Sequence, residues 1–418
     1  MKILSIETSC DETAISLLEA NGDKSKPEFK ILGDVLYSQI EMHKEFGGVY
    51  PSVAKREHSL NLTPLLEKLL KETDEEIIPD DEIIGIENNI KDEVREILSR
   101  EIDLFEAFIK YISKIKKPNV DLIAVTSGPG LEPALWVGIN FARALSVVWQ
   151  IPVIPVNHME GHITSVLKES ANVEQITFPA ISLLISGGHT ELVLIKDWGN
   201  YEIIGRTKDD AVGEAYDKVA RMLDLEYPGG PKISALADVA RNKISSGELD
   251  FEKSLEKFDI SLPRPMIGTN DFDFSFSGIK TAVLYLVKKL KEKHGVSEKN
   301  EASDKILSEE IKSLVALEFE TAVAQVLLKK TKKALDKYGA EVLIIGGGVI
   351  ANKNIRETFM NLQNNSETSS PKSIKVFIPE IDLTTDNAIM IGIAGYLKSF
   401  DYKVEINPEI VAEGNMSL

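Results

Sequence analysis

An apolar run from Ile3 to Ile6, a small polar turn at Thr8-Ser9-Cys10-Asp11 and two further apolar runs, Thr13 to Leu18 and Ile31 to Tyr37, open the chain. The same order returns from Ile181: a run to Ile185, a turn at Ser186-Gly187-Gly188-His189-Thr190, then Leu192 to Ile195 and Tyr201 to Gly205. Short apolar runs punctuated by small polar residues read as strands and turns. Their recurrence reads as one unit built twice. After each triplet helical and strand patterns alternate, with Leu122 to Thr126 running into Ser127-Gly128-Pro129-Gly130 and Val342 to Ile345 into Gly346-Gly347-Gly348. This predicts an α/β protein of two lobes, each a mixed sheet flanked by helices. A length of 418 residues exceeds what one hydrophobic core usually serves. The lobes are placed at 1–155 and 156–386, with an acidic helical insertion over 74–115, a helix at 387–402 returning to the first lobe, and a tail at 403–418. A cleft between lobes is the default ligand site.

Composition narrows the setting. The single cysteine, Cys10, excludes an internal disulfide framework and fits a reducing cytosol. The opening residues reach Glu7 too soon for a signal peptide, and no run approaches the roughly 20 apolar residues of a membrane span, so the expectation is a cytoplasmic protein with no membrane contact. A net charge of −18 counts at first sight against a polyanionic partner. Much of it is local: residues 74–103 hold twelve acids against Lys91, Arg95 and Arg100, and read as a solvated helical insertion with isoleucines at packing spacing. Lysines cluster at Lys288, Lys289, Lys291 and Lys293, and again at Lys329, Lys330, Lys332, Lys333 and Lys337. Such clusters are more often solvated faces than RNA-binding surfaces.

Two kinds of motif carry chemistry. His158-Met159-Glu160-Gly161-His162 places two of the six histidines four residues apart, which on a helix stacks both imidazoles on one face, within reach of one metal ion. The order is not the His-Glu-x-x-His of a zinc peptidase, whose Glu serves as general base. Here Glu160 points away from the metal face. The second kind is the glycine-rich turn at a strand end, where exposed backbone N–H groups cradle phosphate and glycine lets the backbone approach closely. Four turns that put Gly or Ser at a strand end, with Tyr227-Pro228-Gly229-Gly230-Pro231 as a fifth loop, favour a nucleotide, although none has the P-loop or dinucleotide pattern.

A resemblance then becomes specific. Ile6-Glu7-Thr8-Ser9-Cys10-Asp11-Glu12-Thr13, Ser127-Gly128-Pro129-Gly130-Leu131, the His158 to His162 segment, Leu184-Ile185-Ser186-Gly187-Gly188-His189-Thr190, Gly213-Glu214-Ala215-Tyr216-Asp217-Lys218, the Tyr227 to Pro231 loop, Phe274-Ser275-Phe276-Ser277-Gly278-Ile279-Lys280-Thr281, Gly347-Gly348-Val349-Ile350-Ala351-Asn352 and Thr385-Asp386-Asn387 occur in one order. That order resembles the bacterial tRNA N6-adenosine threonylcarbamoyltransferase family. The resemblance implies a duplicated actin-like, sugar-kinase and heat-shock-ATPase superfold with a nucleotide cleft. It implies one divalent metal, Fe2+ or Zn2+, on His158, His162 and Asp386; without the family, Asp386 reads as a helix N-cap. Leu184, Ile185, Ser186, Gly187, Gly188, Asp217, Gly230 and Asn352 would bind threonylcarbamoyl-AMP. Asp11 and His189 are the candidates for a base or orienting group. The implied reaction moves the threonylcarbamoyl group to N6 of the adenosine 3′ of the anticodon in tRNAs reading ANN codons. Implied partners are an inactive paralogue subunit and a small P-loop ATPase. Ser52 stands where the family usually carries an acid. Two other readings are a metal-dependent peptidase and a non-catalytic scaffold paralogue.

Overall fold

The structure, a computed structural model, describes residues 1–76, 85–297, 305–364 and 374–418. The chain forms two compact units. One comprises Met1–Ile176, Trp198–Asn200 and Pro379–Leu418, and the other Thr177–Asp197 and Tyr201–Ile378. The first carries strands β1 (Lys2–Glu7), β2 (Glu12–Asn21), β3 (Glu28–Ser38), β4 (Leu122–Gly128) and β5 (Val153–Asn157), in the order β3-β2-β1-β4-β5. β1 pairs antiparallel with β2 and β2 with β3, whereas β1–β4 and β4–β5 are parallel.

The second unit repeats this plan. Its strands are β6 (Ala180–Ile185), β7 (Thr190–Asp197), β8 (Asn200–Arg206), a short antiparallel pair β9 (Val296–Ser297) and β10 (Lys305–Ile306), then β11 (Val342–Gly346) and β12 (Lys375–Phe377). The main sheet runs β12-β11-β6-β7-β8, with β6–β7 antiparallel and β6–β11 and β11–β12 parallel. Numbered from the first strand of each, both sheets have the same order, the duplicated mixed α/β plan expected of the superfold. Neither β5 nor β12 is expected from the sequence pattern. β5 contains Pro155 but lies at a sheet edge, where a residue without an N–H is tolerated. β12 has only three residues, too few to establish an alternation.

Period-two alternation distributes each core. In β1, Ile3 packs with Met390, Ile391 and Ala394 of the helix Ala388–Ser399. Leu4 and Ile6 join the opposite core, with Leu62, Leu66 and Leu69 of the helix Pro51–Glu72 and Leu135 and Ile139 of the helix Glu132–Trp149. In the second unit Ile181, Leu183 and Ile185 pack with Val212, Tyr216 and Val219 of the helix Val212–Met222 and Phe319 of the helix Glu309–Tyr338. No described helix is long and apolar enough to cross a membrane.

The acidic insertion forms the helices Asn88–Ile97 and Ile102–Ile112, which bury Val94, Leu104 and Phe108, with Leu98 after the first helix, in the first unit's core. It is thus more than a solvated appendage; its acids Asp80, Asp81 and Glu82 lie outside the described residues. The second lysine cluster also differs from a uniform solvated face. Lys330 is buried, with Nζ donating to Thr269 Oγ1 at 2.6 Å and to Asp271 O and Oδ1 at 3.0 Å. Lys333 donates to the carbonyls of Thr269 and Asn270. Alternate lysines of that helix therefore hold a loop of their own unit.

Candidate functional site

The metal-binding candidates of the first unit converge because two helix starts are capped by asparagines. Asn157, ending β5, accepts at Oδ1 from Met159 N at 2.8 Å and Glu160 N at 3.3 Å, and so starts the helix His158–Thr164. His158 and His162 then share a face, with ring centroids 4.7 Å apart. Asn387 caps the helix Ala388–Ser399, its Oδ1 accepting from Met390 N at 2.9 Å. Asp386 is therefore not the N-cap that its sequence position alone implies. Its Oδ1 lies 3.3 Å from His158 Nε2 and 3.4 Å from His162 Nε2. One ligand atom from each of the three residues lies within 4.8 Å of the others.

The chemistry of this donor set suits a divalent cation. His162 is buried with Nδ1 unpartnered and Nε2 offered only the long 3.4 Å approach of Asp386, which is costly for an imidazole unless a cation meets Nε2. Burial disfavours charge on Asp386, yet the two imidazoles hold its carboxylate well below the usual range. Burial likewise opposes a charged His158, but Asp386 and Glu7 push it well above an ordinary imidazole. Burial pushes His162 down. A dication facing the three residues would stand where a proton on His158 otherwise balances the carboxylates.

Acidic residues that were not singled out from the sequence surround this cluster. Glu7, fully buried at the end of β1, has Oε2 at 3.0 Å from His158 Nδ1. Burial, followed by Asp11 and Asp386, pushes Glu12 well above the usual carboxylate range. The same groups push the Cys10 thiol up. Asp11 thus sits in the turn after β1 among acids whose electrostatics also involve Asp386, and its carbonyl accepts from Gln39 N at 2.9 Å. The turn after β4 comes close: a Cβ on Gly130 would meet Ser9 O at 2.6 Å. The one sequence signal for Glu7 is an acid at the end of the mainly apolar first strand.

The corresponding end of the second unit carries the other candidates. Leu184 and Ile185 end β6, paired to Glu191 and Thr190. The turn Ser186–His189 closes through Ser186 N to His189 O at 2.9 Å and His189 N to Ser186 Oγ at 3.1 Å. The turn after β11 abuts this strand end, since Gly347 has φ +94° and a Cβ there would meet Ile185 O at 2.5 Å. Gly213, opening the next helix, packs as closely on Ser186 O. By contrast a Cβ on Gly187, Gly188 or Gly230 would meet nothing. These glycines leave backbone accessible to a ligand.

Asp217 lies one helix away from that turn. Its Oδ1 accepts from Gly229 N at 2.7 Å, and burial raises its carboxyl despite the Gly229 and Gly230 amides. Asn352 accepts at Oδ1 from Ile355 N at 3.0 Å and donates from Nδ2 to the buried Glu320, itself paired with Arg241. Both candidates are thus partly occupied by structural bonds. The Ser277 end of the Phe274–Thr281 motif is tied down by Asp209, which accepts from the hydroxyls of Ser275 and Ser277 at 2.6 Å each.

The family model for tRNA N6-adenosine threonylcarbamoyltransferase, TsaD, matches residues 30–83 and 99–393. The chain belongs to this family. Relatives bearing that name from Persephonella marina, Polynucleobacter necessarius and Staphylococcus aureus strain Newman are 39%, 38% and 38% identical. The alignments cover 95%, 95% and 94% of this chain and 90%, 92% and 90% of theirs. The matched residues contain His158, His162, Asp386 and both glycine turns of the second unit. The chain is accordingly a transferase of tRNA modification.

Proposed function

We propose that this transferase moves the threonylcarbamoyl group of threonylcarbamoyl-AMP to N6 of the adenosine 3′ of the anticodon in tRNAs reading ANN codons, releasing AMP. The observation that carries this reading is the coincidence of family membership with a cluster of two buried histidines and one half-buried carboxylate. The N6 amine attacks the carbamoyl carbon, the new C–N bond forms, the anhydride C–O bond breaks, and AMP departs with the electron pair while the amine loses a proton. An exocyclic adenine amine is a weak nucleophile, so orientation and charge stabilisation carry the rate.

The Ser186–Gly188 turn holds the adenylate phosphate through backbone N–H groups, with Leu184 and Ile185 setting its position. Asp217, at its second oxygen, accepts a ribose hydroxyl. Gly230 leaves room beside it. Asn352 offers its remaining Nδ2 hydrogen to a base or ribose edge. Asp11 receives the proton from the attacking amine, and His189 orients the turn. His158, His162 and Asp386 hold Fe2+ or Zn2+, with positions left open by only three protein ligands. When bound, the cation supplies an electrophile for a carboxylate or carbonyl oxygen of the acyl donor.

The inactive paralogue and the small P-loop ATPase are the partners for sustained turnover, and the tRNA substrate sets the cytoplasm as the compartment. A peptidase would need a general base placed as in His-Glu-x-x-His, which this sequence lacks. The test is unmodified tRNA incubated with the protein, both partners, the adenylate-forming enzyme, threonine, bicarbonate and ATP, followed by mass analysis of nucleosides. N6-threonylcarbamoyladenosine should accumulate over multiple turnovers only with the complete mixture. Its absence there overturns the reading, and multiple turnover without the partners overturns the partner requirement.

A further inference from the structure

Glu7 lies in the interior of the first unit with no solvent exposure, where an isolated carboxylate would be strongly disfavoured. Three donors compensate it. Ser9 N donates to Oε1, while Thr126 Oγ1 and the His158 ring both reach Oε2, the latter at 3.0 Å from Nδ1. Ser9 Oγ lies 3.3 Å from the same ring nitrogen. The opposite nitrogen, Nε2, faces Asp386. An ionised carboxylate only accepts hydrogen bonds, so contact with Oε2 requires a proton on Nδ1. With Nδ1 protonated, a neutral His158 carries its lone pair on Nε2, the atom turned to Asp386 and His162.

We propose that Glu7 is a positioning residue that fixes the tautomer and ring orientation of His158, so that Nε2 is the metal-binding atom. The inference rests on the metal reading above. Thr126 and Ser9 serve Glu7 in turn: one donates its hydroxyl from β4 and the other its backbone N–H from the turn after β1, so the carboxylate is fixed from two separate segments. His162 has no comparable partner: its Nδ1 is buried without a hydrogen bond, and its Nε2 meets only Asp386, at 3.4 Å. The two histidines are therefore unequal. His158 is oriented through its second nitrogen, whereas the second nitrogen of His162, Nδ1, has no hydrogen-bond partner.

Zn2+ titration against a chelator, read as a dissociation constant rather than as activity, tests the proposal in the full-length protein. Glu7→Gln keeps the shape but loses the charge, and should weaken Zn2+ binding roughly 10- to 100-fold while His162→Ala removes tight binding. A parental constant in folded Glu7→Gln overturns the proposal. Nitrogen-15 histidine spectra of the Zn2+-loaded parental protein give a second readout that needs no variant: His158 should show a proton on Nδ1 and metal on Nε2. Metal on Nδ1, or an unprotonated Nδ1, overturns it as well. Failure of the metal reading itself looks different, because the parental protein would then bind no Zn2+ tightly and His162→Ala would change nothing.

Discussion

The two candidate regions use opposite means to prepare for a ligand. In the first unit, His158, His162, Asp386 and Glu7 are packed side chains whose charges are compensated by one another. In the second, the turn Ser186–His189 offers backbone, and glycines 187, 188 and 230 face open space. A buried polar cluster specifies geometry at the cost of strong coupling among its members. An open glycine turn tolerates change structurally and is sensitive only to what must approach it. Substitutions in the first region should therefore disturb ligand and electrostatics together, and those in the second should separate binding from stability.

The largest effect should come from His158→Ala with His162→Ala. Removing two of three ligands should abolish tight metal binding and lower transfer to tRNA by roughly 1,000-fold or more. Metal analysis beside nucleoside mass analysis checks this, and parental activity in the double variant would break the metal side of the comparison.

The polar interior of the first unit should also make stability depend on pH. Burial pushes His58 down to about 4, even though the Cys10 carbonyl favours its charged form. Its folded value lies below the unfolded value of about 6.5, so the unfolded chain takes up the proton first. The stabilisation is complete above about pH 6.5 and is lost as pH falls toward about 4, a change of about 3 kcal/mol. Urea unfolding across that window should show the slope in the parental protein and a flatter one in His58→Gln. Equal slopes would show that His58 is not buried neutral.

The second region yields the converse prediction. Gly187→Val should weaken binding of a stable threonylcarbamoyl-adenylate analogue roughly 100-fold, yet shift unfolding by no more than about 0.5 kcal/mol, since a Cβ added there meets no protein atom within 4 Å. Calorimetry and thermal melts on one sample check both halves. Loss of stability would show the turn to be structural.

Smaller still is the effect that separates lysines of one helix. Lys330→Met leaves the acceptors of Thr269 and Asp271 without their buried donor, for a loss of about 2 kcal/mol. The exposed Lys329→Gln should stay within about 0.5 kcal/mol. If Lys330→Met is equally silent but lowers tRNA affinity, the helix presents that lysine to RNA after all.

Much of the architecture was legible because its signals are local. The strand triplets at Ile3, Thr13 and Ile31 and at Ile181, Leu192 and Tyr201 appear where alternation and turn residues placed them, within a few residues of β1–β3 and β6–β8. β5 and β12 were not legible, one because of Pro155 and the other because three residues hold no period. In the site, the spacing of His158 and His162 was readable as one helix face, whereas the approach of Asp386 required the family resemblance. Its separation from them along the chain is bridged only by the packing of the helix Ala388–Ser399 against β1, β2 and the His158–Thr164 helix.

What the sequence by itself determined was periodicity, turn chemistry and the family motif order, all of which depend on residues close together in the chain. Only the tertiary structure decided that Asn387 rather than Asp386 caps its helix, that Lys330 is buried, and that Glu7 reaches His158. Each is a choice among hydrogen-bond partners for a group that could equally have faced water. The choice is made when packing removes the water and leaves a specific neighbour as the remaining donor or acceptor.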